Sequence, residues 1–479
     1  MQVADLEPAD FWRNFALICS IPHPSGSEQA LAAKLMEMAQ AHGLSCCQDA
    51  LGNVRIDRPA SPGWENAPLI ILQGHLDMVP VAKDKNFDFT TTPVKPLTDG
   101  EWVWAEGTTL GADDGSGLAL ALSVLFDDEL QCGPLAGLFT VEEETGLLGS
   151  AGLSAEMLRG NVLFNMDLGE EGALCIGCAG GARQEFTFAL QQMAVPPEKK
   201  AVKLTIEGMK GGHSGVCIHL KRGNAVKFLA QFAEMHRELQ ISTFNGGGAD
   251  NAIPAGSEIV AAIDGTVDIE GLRRSAELFV AMVKTECDAP DMQLKIDECG
   301  RVETVWQPEF QERVLRSLTL APDGVQEFNG ELGIVHTSSN LAAIYLCGDK
   351  VMVRSSQRSM DDEARERISE VLKFHFASFG ADSEESSVYP GWNPCKDGGL
   401  IAIADEVWEK LYGKKFTISA IHAGLECGWF VRKNPALQLL SFGATECNAH
   451  TPQEKLNVAS VERYMLWLRQ MICAVGREL

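Results

Sequence analysis

The 479-residue chain is short of positive charge, with 40 Lys and Arg against 66 Asp and Glu and a net charge of −26 at pH 7. Nucleic acid and anionic membrane surfaces both need basic patches, so neither is expected as a partner. Long apolar runs are absent too: the apolar stretches are brief and broken by charges, so no transmembrane helix is expected. The first ten residues, Met1 to Asp10, are acidic and carry no apolar core. No secretory signal is therefore expected, and a cytoplasmic location follows. No repeat, low-complexity tract or linker interrupts the sequence. There is no G-x-S-x-G elbow, no P-loop and no G-x-G-x-x-G after a strand, which argues against a serine hydrolase or a nucleotide-binding enzyme.

Cysteine, by contrast, is plentiful. Fourteen cysteines without a secretory signal read as reduced thiols. Cys175-x-x-Cys178 has no second pair at zinc-finger spacing and reads as core packing. Apolar residues make up 45%, ample for sizeable cores. At roughly 150 residues per domain, the length suggests two or three domains.

The apolar pattern places the elements. Ser25-Gly26-Ser27-Glu28 resembles a capping box before a helix through Leu31, Leu35 and Met38, with Gly43 as its stop. Leu69–Gln73, Leu135–Val141 and Asn161–Met166 are apolar runs of buried-strand length, and Gly117–Phe126 is an apolar helix. Asp99-Gly100 reads as a turn into a strand at Glu101–Trp104. This alternation predicts an α/β layer with a mostly parallel sheet. Near Arg183 the texture changes to one-sided strands such as Val202–Ile206, with helices at Asn224–Leu239, Ile269–Cys287 and Asp361–Phe379. The α/β texture returns after Tyr389-Pro390-Gly391-Trp392, with a helix near Ala402–Leu411, a strand at Leu437–Phe442 and a closing helix at Ser460–Val475. The expected organisation is a discontinuous α/β catalytic domain, residues 1–183 plus 388–479, with an α+β domain of residues 184–387 inserted into it.

Short polar motifs follow the expected strands, and ligands of such sheets gather at strand carboxyl ends. Gly74-His75-Leu76-Asp77 lets an imidazole bind a metal while Asp77 fixes its tautomer. Gly111-Ala112-Asp113-Asp114-Gly115 opens an apolar helix, where adjacent carboxylates also suit the helix dipole. Glu142-Glu143-Glu144 crowds three acids at a strand end, which a cation would relieve, although a solvated acidic turn is equally ordinary. Asn165-Met166-Asp167 and Ala449-His450 complete the inventory. Each is unremarkable alone; together, two histidines and several carboxylates suit zinc, or manganese and cobalt less specifically.

The blocks Cys19–Ser25, His75–Pro80, Gly107–Asp113, Gly177–Gly181, Gly211–Gly215, Asn251–Pro254, Tyr389–Trp392 and Ile421–Gly428 carry a resemblance over nearly the whole chain. The sequence resembles the aminoacyl-histidine dipeptidases (Xaa-His dipeptidases of the bacterial carnosinase type), within the co-catalytic two-zinc peptidases. The resemblance implies a zinc-peptidase-like α/β domain with an inserted lid and dimerisation domain. It implies a homodimer, small peptide substrates, and two Zn2+ ions that Mn2+ or Co2+ can replace. His75 and Asp167 would be terminal ligands of one ion, Glu144 and His450 of the other, and Asp113 would bridge them across a cis Asp113–Asp114 peptide. Asp77 would orient His75, Glu143 would be the general base, and His213 would donate to the oxyanion. Asn251, Arg354, His422 and Glu426 would contact substrate. The family often has Asn where this chain has Asp114, a position that is not a ligand in its pattern, and Glu142 receives no role. The expected reaction is hydrolysis of dipeptides with a C-terminal histidine. A sister tripeptidase, broad dipeptidase or N-acyl amidohydrolase is the alternative, and a non-enzymatic binding protein a more distant one.

Overall fold

The computed structural model describes residues 2–395 and 398–479. The chain divides into two compact units. The first runs to Cys178 and resumes over Trp392–Ala420 and Leu425–Leu479; the second holds Ala179–Gly391 and Ile421–Gly424.

The first unit is built on an eight-stranded sheet. Its strands are β1 (Ser45–Gln48), β2 (Val54–Arg58), β3 (Ile70–His75), β4 (Leu135–Thr140), β5 (Val162–Asn165), β6 (Ala173–Cys178), β7 (Thr417–Ile421) and β8 (Gln438–Ser441). They lie in the order β1-β2-β4-β3-β5-β8-β6-β7. β3 pairs in parallel with both β4 and β5, and β8 in parallel with β5. Every residue of β3, β4 and β5 is buried, as expected of central strands covered on both faces. The order reverses across β3: the chain goes first to β4 on one side and then to β5 on the other. A crevice opens at the carboxyl ends of strands at such a point.

Helices at Ala9–Cys19, Gln29–Ala41, Ala112–Leu125, Gly399–Tyr412 and Val458–Glu478 contribute to the core of this unit. The helix expected from Gly117 begins five residues earlier, at Ala112, with non-helical angles at Asp113 and Asp114. The expected capping box does not form. The Ser25 hydroxyl donates instead to Asp77 Oδ2 at 2.8 Å, and Glu28 Oε1 accepts from the backbone N–H groups of Gly26 and Glu142. Long-range partners have won over the local cap.

The second unit carries a nine-stranded sheet. Its path is Gln293–Cys299, Lys200–Glu207, Ser257–Ile263, Gln240–Gly247, Ile334–Cys347, Lys350–Ser359, Gly180–Ala189 and Asp382–Tyr389, with Gly324–Asn329 paired to Ile334–Cys347. All the registered pairs are antiparallel. Alternating burial, as in Val202, Leu204 and Ile206, matches the period-two pattern in the sequence. Helices Ala225–Met235, Ile269–Glu286, Pro308–Leu320 and Asp362–Ser378 supply apolar side chains to its core. Asn224 and Asp361 cap the first and last of these through their side chains. Among the described residues no helix is long and apolar enough to cross a membrane.

Candidate active site

Three parallel neighbours deliver the site in the first unit. His75 ends β3, Glu143 and Glu144 follow β4, and Asp167 follows β5. Asp113 comes from the start of the Ala112–Leu125 helix, and His450 from the segment after β8, at a left-handed φ of 64°. Left-handed angles also occur at Glu142 (49°) and Asn448 (57°). Side chains there cost about 1 kcal/mol each, and such positions concentrate at functional sites.

The His75 Nδ1 lies 2.9 Å from the Asp77 carbonyl oxygen, which can only accept. That nitrogen therefore carries the proton of the neutral ring, and Nε2 presents a lone pair. Nε2 meets two more acceptors, Asp113 Oδ1 at 3.0 Å and Asp167 Oδ1 at 3.7 Å. On the other side, His450 Nε2 faces Asp113 Oδ2 at 3.1 Å and Glu144 Oε1 at 2.7 Å. Glu144 Oε1 is buried and no hydrogen-bond donor is aligned on it. Asp113 thus turns one oxygen to each imidazole, and each imidazole faces a further carboxylate. Lone pairs converge on two points that only protons or cations can stabilise. The donor set fits a pair of divalent ions that share Asp113.

The electrostatics agree. Burial, then the neighbouring Asp113 charge, pushes Asp167 well above the usual carboxylate range. Burial does the same to Glu143, with Glu426, Glu144 and Asp113 adding to it against the opposing charge of His75. Asp113 and then Glu144 push His450 up to about 10. Burial would lower His75, yet Asp113, Asp167 and Asp77 hold it well above the imidazole range. The cluster holds more buried negative charge than its own groups can neutralise.

Asp114 also approaches, and His75, Asp114 and Asp167 form one compact triad as His75, Asp113 and Glu144 form another. Both Asp114 oxygens are nevertheless engaged by backbone, Oδ2 by the His75 N–H at 3.2 Å and Oδ1 by the Gly117 N–H at 3.0 Å. The Asp113–Asp114 peptide is cis. Asp77 has a second task besides His75. Its carboxylate accepts from the Glu143 N–H at 2.9 Å, the Glu144 N–H at 3.2 Å and the Ser25 hydroxyl at 2.8 Å. Burial opposes ionisation, but His75 and these donors hold Asp77 down to about 2.

Residues 71–474 match the model of peptidase family M20/M25/M40. The chain belongs to that family. This M20 peptidase is 37% identical over 480 residues to the cytosol non-specific dipeptidase of Escherichia coli K12, covering 98% of each protein. It superposes on the crystal structure of aminoacylhistidine dipeptidase from Vibrio alginolyticus with a TM-score of 0.89 and 38% identity, over 99% of this chain and 98% of that one. An aminopeptidase from Bacillus cereus, at 16% identity and a TM-score of 0.59 over 98% of this chain and all of that one, shows the same fold. The M20 peptidase is accordingly a metallo-dipeptidase, a hydrolase of peptide bonds.

The second unit contains His213, Asn251, Arg354 and His422. The His213 Nδ1 accepts from the backbone N–H groups of Gly215 and Val216 at 3.1 and 3.3 Å. Its neutral ring therefore holds its proton on Nε2, a hydrogen-bond donor. Burial and then Arg358 lower its pKa, which favours that neutral form. His422 is buried with Nε2 at 2.8 Å from the Ser338 hydroxyl, and burial followed by the Arg358 charge lowers it to about 3. Arg354 is already engaged, by Glu185, Asp250 and the Tyr345 hydroxyl. Arg358 is less committed: it donates to the Tyr389 hydroxyl at 2.8 Å, while its buried Nε has no partner. Asn251 and Arg358 line one small cavity of about 100 Å³ with Arg183 and Tyr389. Glu426 lies in the first unit, fully buried, and burial pushes its pKa up to about 7.

Two contributors were not singled out from the sequence. Glu454 accepts from the Leu110 N–H at 2.9 Å and the Ala112 N–H at 2.6 Å, tying the Asp113 segment to the loop of His450. Nothing local marks it, because its partners lie more than 300 residues away. Arg358 does have a signal: it stands four residues after Arg354 on one strand, hence on the same face. Cys175 and Cys178 are buried in β6 and join no metal-binding group among the described residues.

Proposed function

We propose that this metallo-dipeptidase cleaves dipeptides with a C-terminal histidine, carnosine-like substrates included. In this reading it holds two Zn2+ ions, replaceable by Mn2+ or Co2+. His75 and Asp167 hold one, Glu144 and His450 the other, and Asp113 joins them. The observation that carries the reading is Asp113, whose two oxygens face His75 and His450 at 3.0 and 3.1 Å. When bound, such ions lower the pKa of water and polarise a carbonyl. Glu143 takes the proton of the attacking water and returns it to the leaving amine, a task suited to a carboxylate whose proton affinity is raised. Asp77 fixes both the His75 tautomer and the Glu143–Glu144 backbone. His213 supplies its Nε2–H to the developing oxyanion. Asn251, Arg354 and His422 hold substrate, and Arg358, which lines the same small cavity as Asn251, joins Arg354 as a partner for its carboxylate. A homodimer formed through the second unit and a cytoplasmic location complete the reading.

The name of the Escherichia coli relative, a non-specific dipeptidase, supports a broader dipeptidase as the second reading. Histidine release from β-alanyl-histidine, beside Xaa-His, Xaa-Leu and tripeptide substrates with and without a chelator, decides between them. Chelator-sensitive release confined to Xaa-His is the expected result. Chelator-sensitive cleavage of the whole dipeptide panel establishes the broad activity instead. Cleavage that ignores the chelator removes the metal assignment.

A further inference from the structure

One buried acid joins all three strands that end in the site. Glu426 Oε2 accepts from the Gln73 amide at 2.6 Å and from the Thr140 hydroxyl at 2.7 Å. Gln73 Oε1 accepts in turn from the Asn165 amide at 2.7 Å. The two direct partners, Gln73 and Thr140, belong to β3 and β4, and Asn165, bonded through Gln73, belongs to β5. Each stands just upstream of a site residue: Gln73 two before His75, Thr140 four before Glu144, and Asn165 two before Asp167. Thr140 is also the ladder partner of His75. Glu426 itself is 0% exposed and caps no backbone N–H of the helix that follows it, Cys427–Lys433.

We infer that Glu426 is a positioning residue, whose carboxylate fixes the ends of β3, β4 and β5 in the alignment that sets the spacing of His75, Glu144 and Asp167. The inference rests on the reading of those three as metal ligands. Its physical basis is threefold. Two short hydrogen bonds, of 2.6 and 2.7 Å, converge on one buried carboxyl oxygen and hold both donors in place. Inside a dry core, two strands that each place a donor on the Glu426 carboxylate, and a third whose Asn165 amide bonds Gln73, cannot slide without leaving a polar group unpaired. Outer partners of metal ligands cost roughly 10–100-fold in metal affinity or activity when removed. A direct contact with substrate, the role expected from the motif, does not suit a side chain with no exposed surface.

The test compares wild type, Glu426→Ala, Glu426→Gln and Thr140→Val. The metal-free proteins are titrated with Zn2+ and Co2+ at equilibrium, and kcat and KM are measured on one dipeptide after metal is restored. Glu426→Ala is expected to weaken metal binding and lower kcat, each by about tenfold or more, with KM nearly unchanged. Glu426→Gln keeps an oxygen for both donors and places its amide where Glu426 Oε1 has no partner. It is expected to recover most of both losses. Thr140→Val, which removes one of the two donors, is expected to fall between. A Glu426→Ala protein with raised KM but intact kcat and metal affinity overturns the inference in favour of a substrate contact. Unchanged values throughout overturn it in favour of inert packing. If Glu426→Ala does not fold, an unaltered metal affinity in Thr140→Val overturns it. Wild-type binding in the same titration reports separately on the ligand assignment. Two ions per chain in wild type with identical variants reject Glu426 alone, whereas no binding in wild type rejects both.

Discussion

In the proposed mechanism, Glu143 and His213 are the residues whose removal would separate binding from chemistry. Glu143→Gln keeps the shape and loses the proton acceptor. It is expected to retain both metal ions, by elemental analysis, while kcat falls by about 10²–10⁴. His213→Ala is expected to leave metal content unchanged and to lower kcat by about 10²–10³, the usual worth of one oxyanion donor. A KM effect alone would assign His213 to substrate binding. The two backbone N–H groups on its Nδ1 make the choice of tautomer structural, so a glutamine able to present an N–H is expected to restore part of the rate.

Two glycines show how tightly the elements close on the site. A methyl group at Gly74, in β3, would lie 2.3 Å from Asp114 Oδ2, and one at Gly117, in the facing helix, 2.3 Å from Asp114 Oδ1. Gly74→Ala and Gly117→Ala are each expected to cost about 1–3 kcal/mol in urea unfolding and to weaken metal binding. The same elements show what a sequence reader can recover. β3, β4 and β5 are continuous apolar runs with polar residues at their ends, and both features survive in one dimension. His75, Asp113, Glu144, Asp167 and His450 were picked out through the motifs that carry the family resemblance, and the fold brings their side chains together. The start of the Ala112–Leu125 helix was not legible, because Asp113 and Asp114 take non-helical angles there. Nor was the fate of Ser25, whose hydroxyl bonds Asp77 across 52 residues instead of capping the next helix. Glu426 was noticed through its motif, but its burial and its partners 286 and 353 residues away are properties of the fold.

For the whole molecule, the proposed metal ions and protons are two ligands that would set stability. Ions that bind the native chain alone stabilise it by about 2.7 kcal/mol at 100 times Kd. Excess EDTA is therefore expected to lower Tm by roughly 3–5 °C in a chain of this length, with recovery on adding Zn2+. An unchanged Tm would argue against an ion in the native state. Burial and Arg358 depress His422 from 6.5 to about 3, so the fold holds it neutral. Its contribution is complete above pH 6.5 and is lost as the unfolded chain, and not the native one, takes up protons below that value. Between pH 6.5 and 5 this amounts to about 2 kcal/mol. The acid limb of urea stability is expected to be shallower by that amount in His422→Asn. The distribution of the site along the chain has a further consequence. All five proposed ligands and Glu143 belong to the first unit, while His213, Asn251, Arg354 and His422 belong to the second. In the proposed reading, substitutions confined to the second unit are therefore expected to change substrate preference while metal content stays the same.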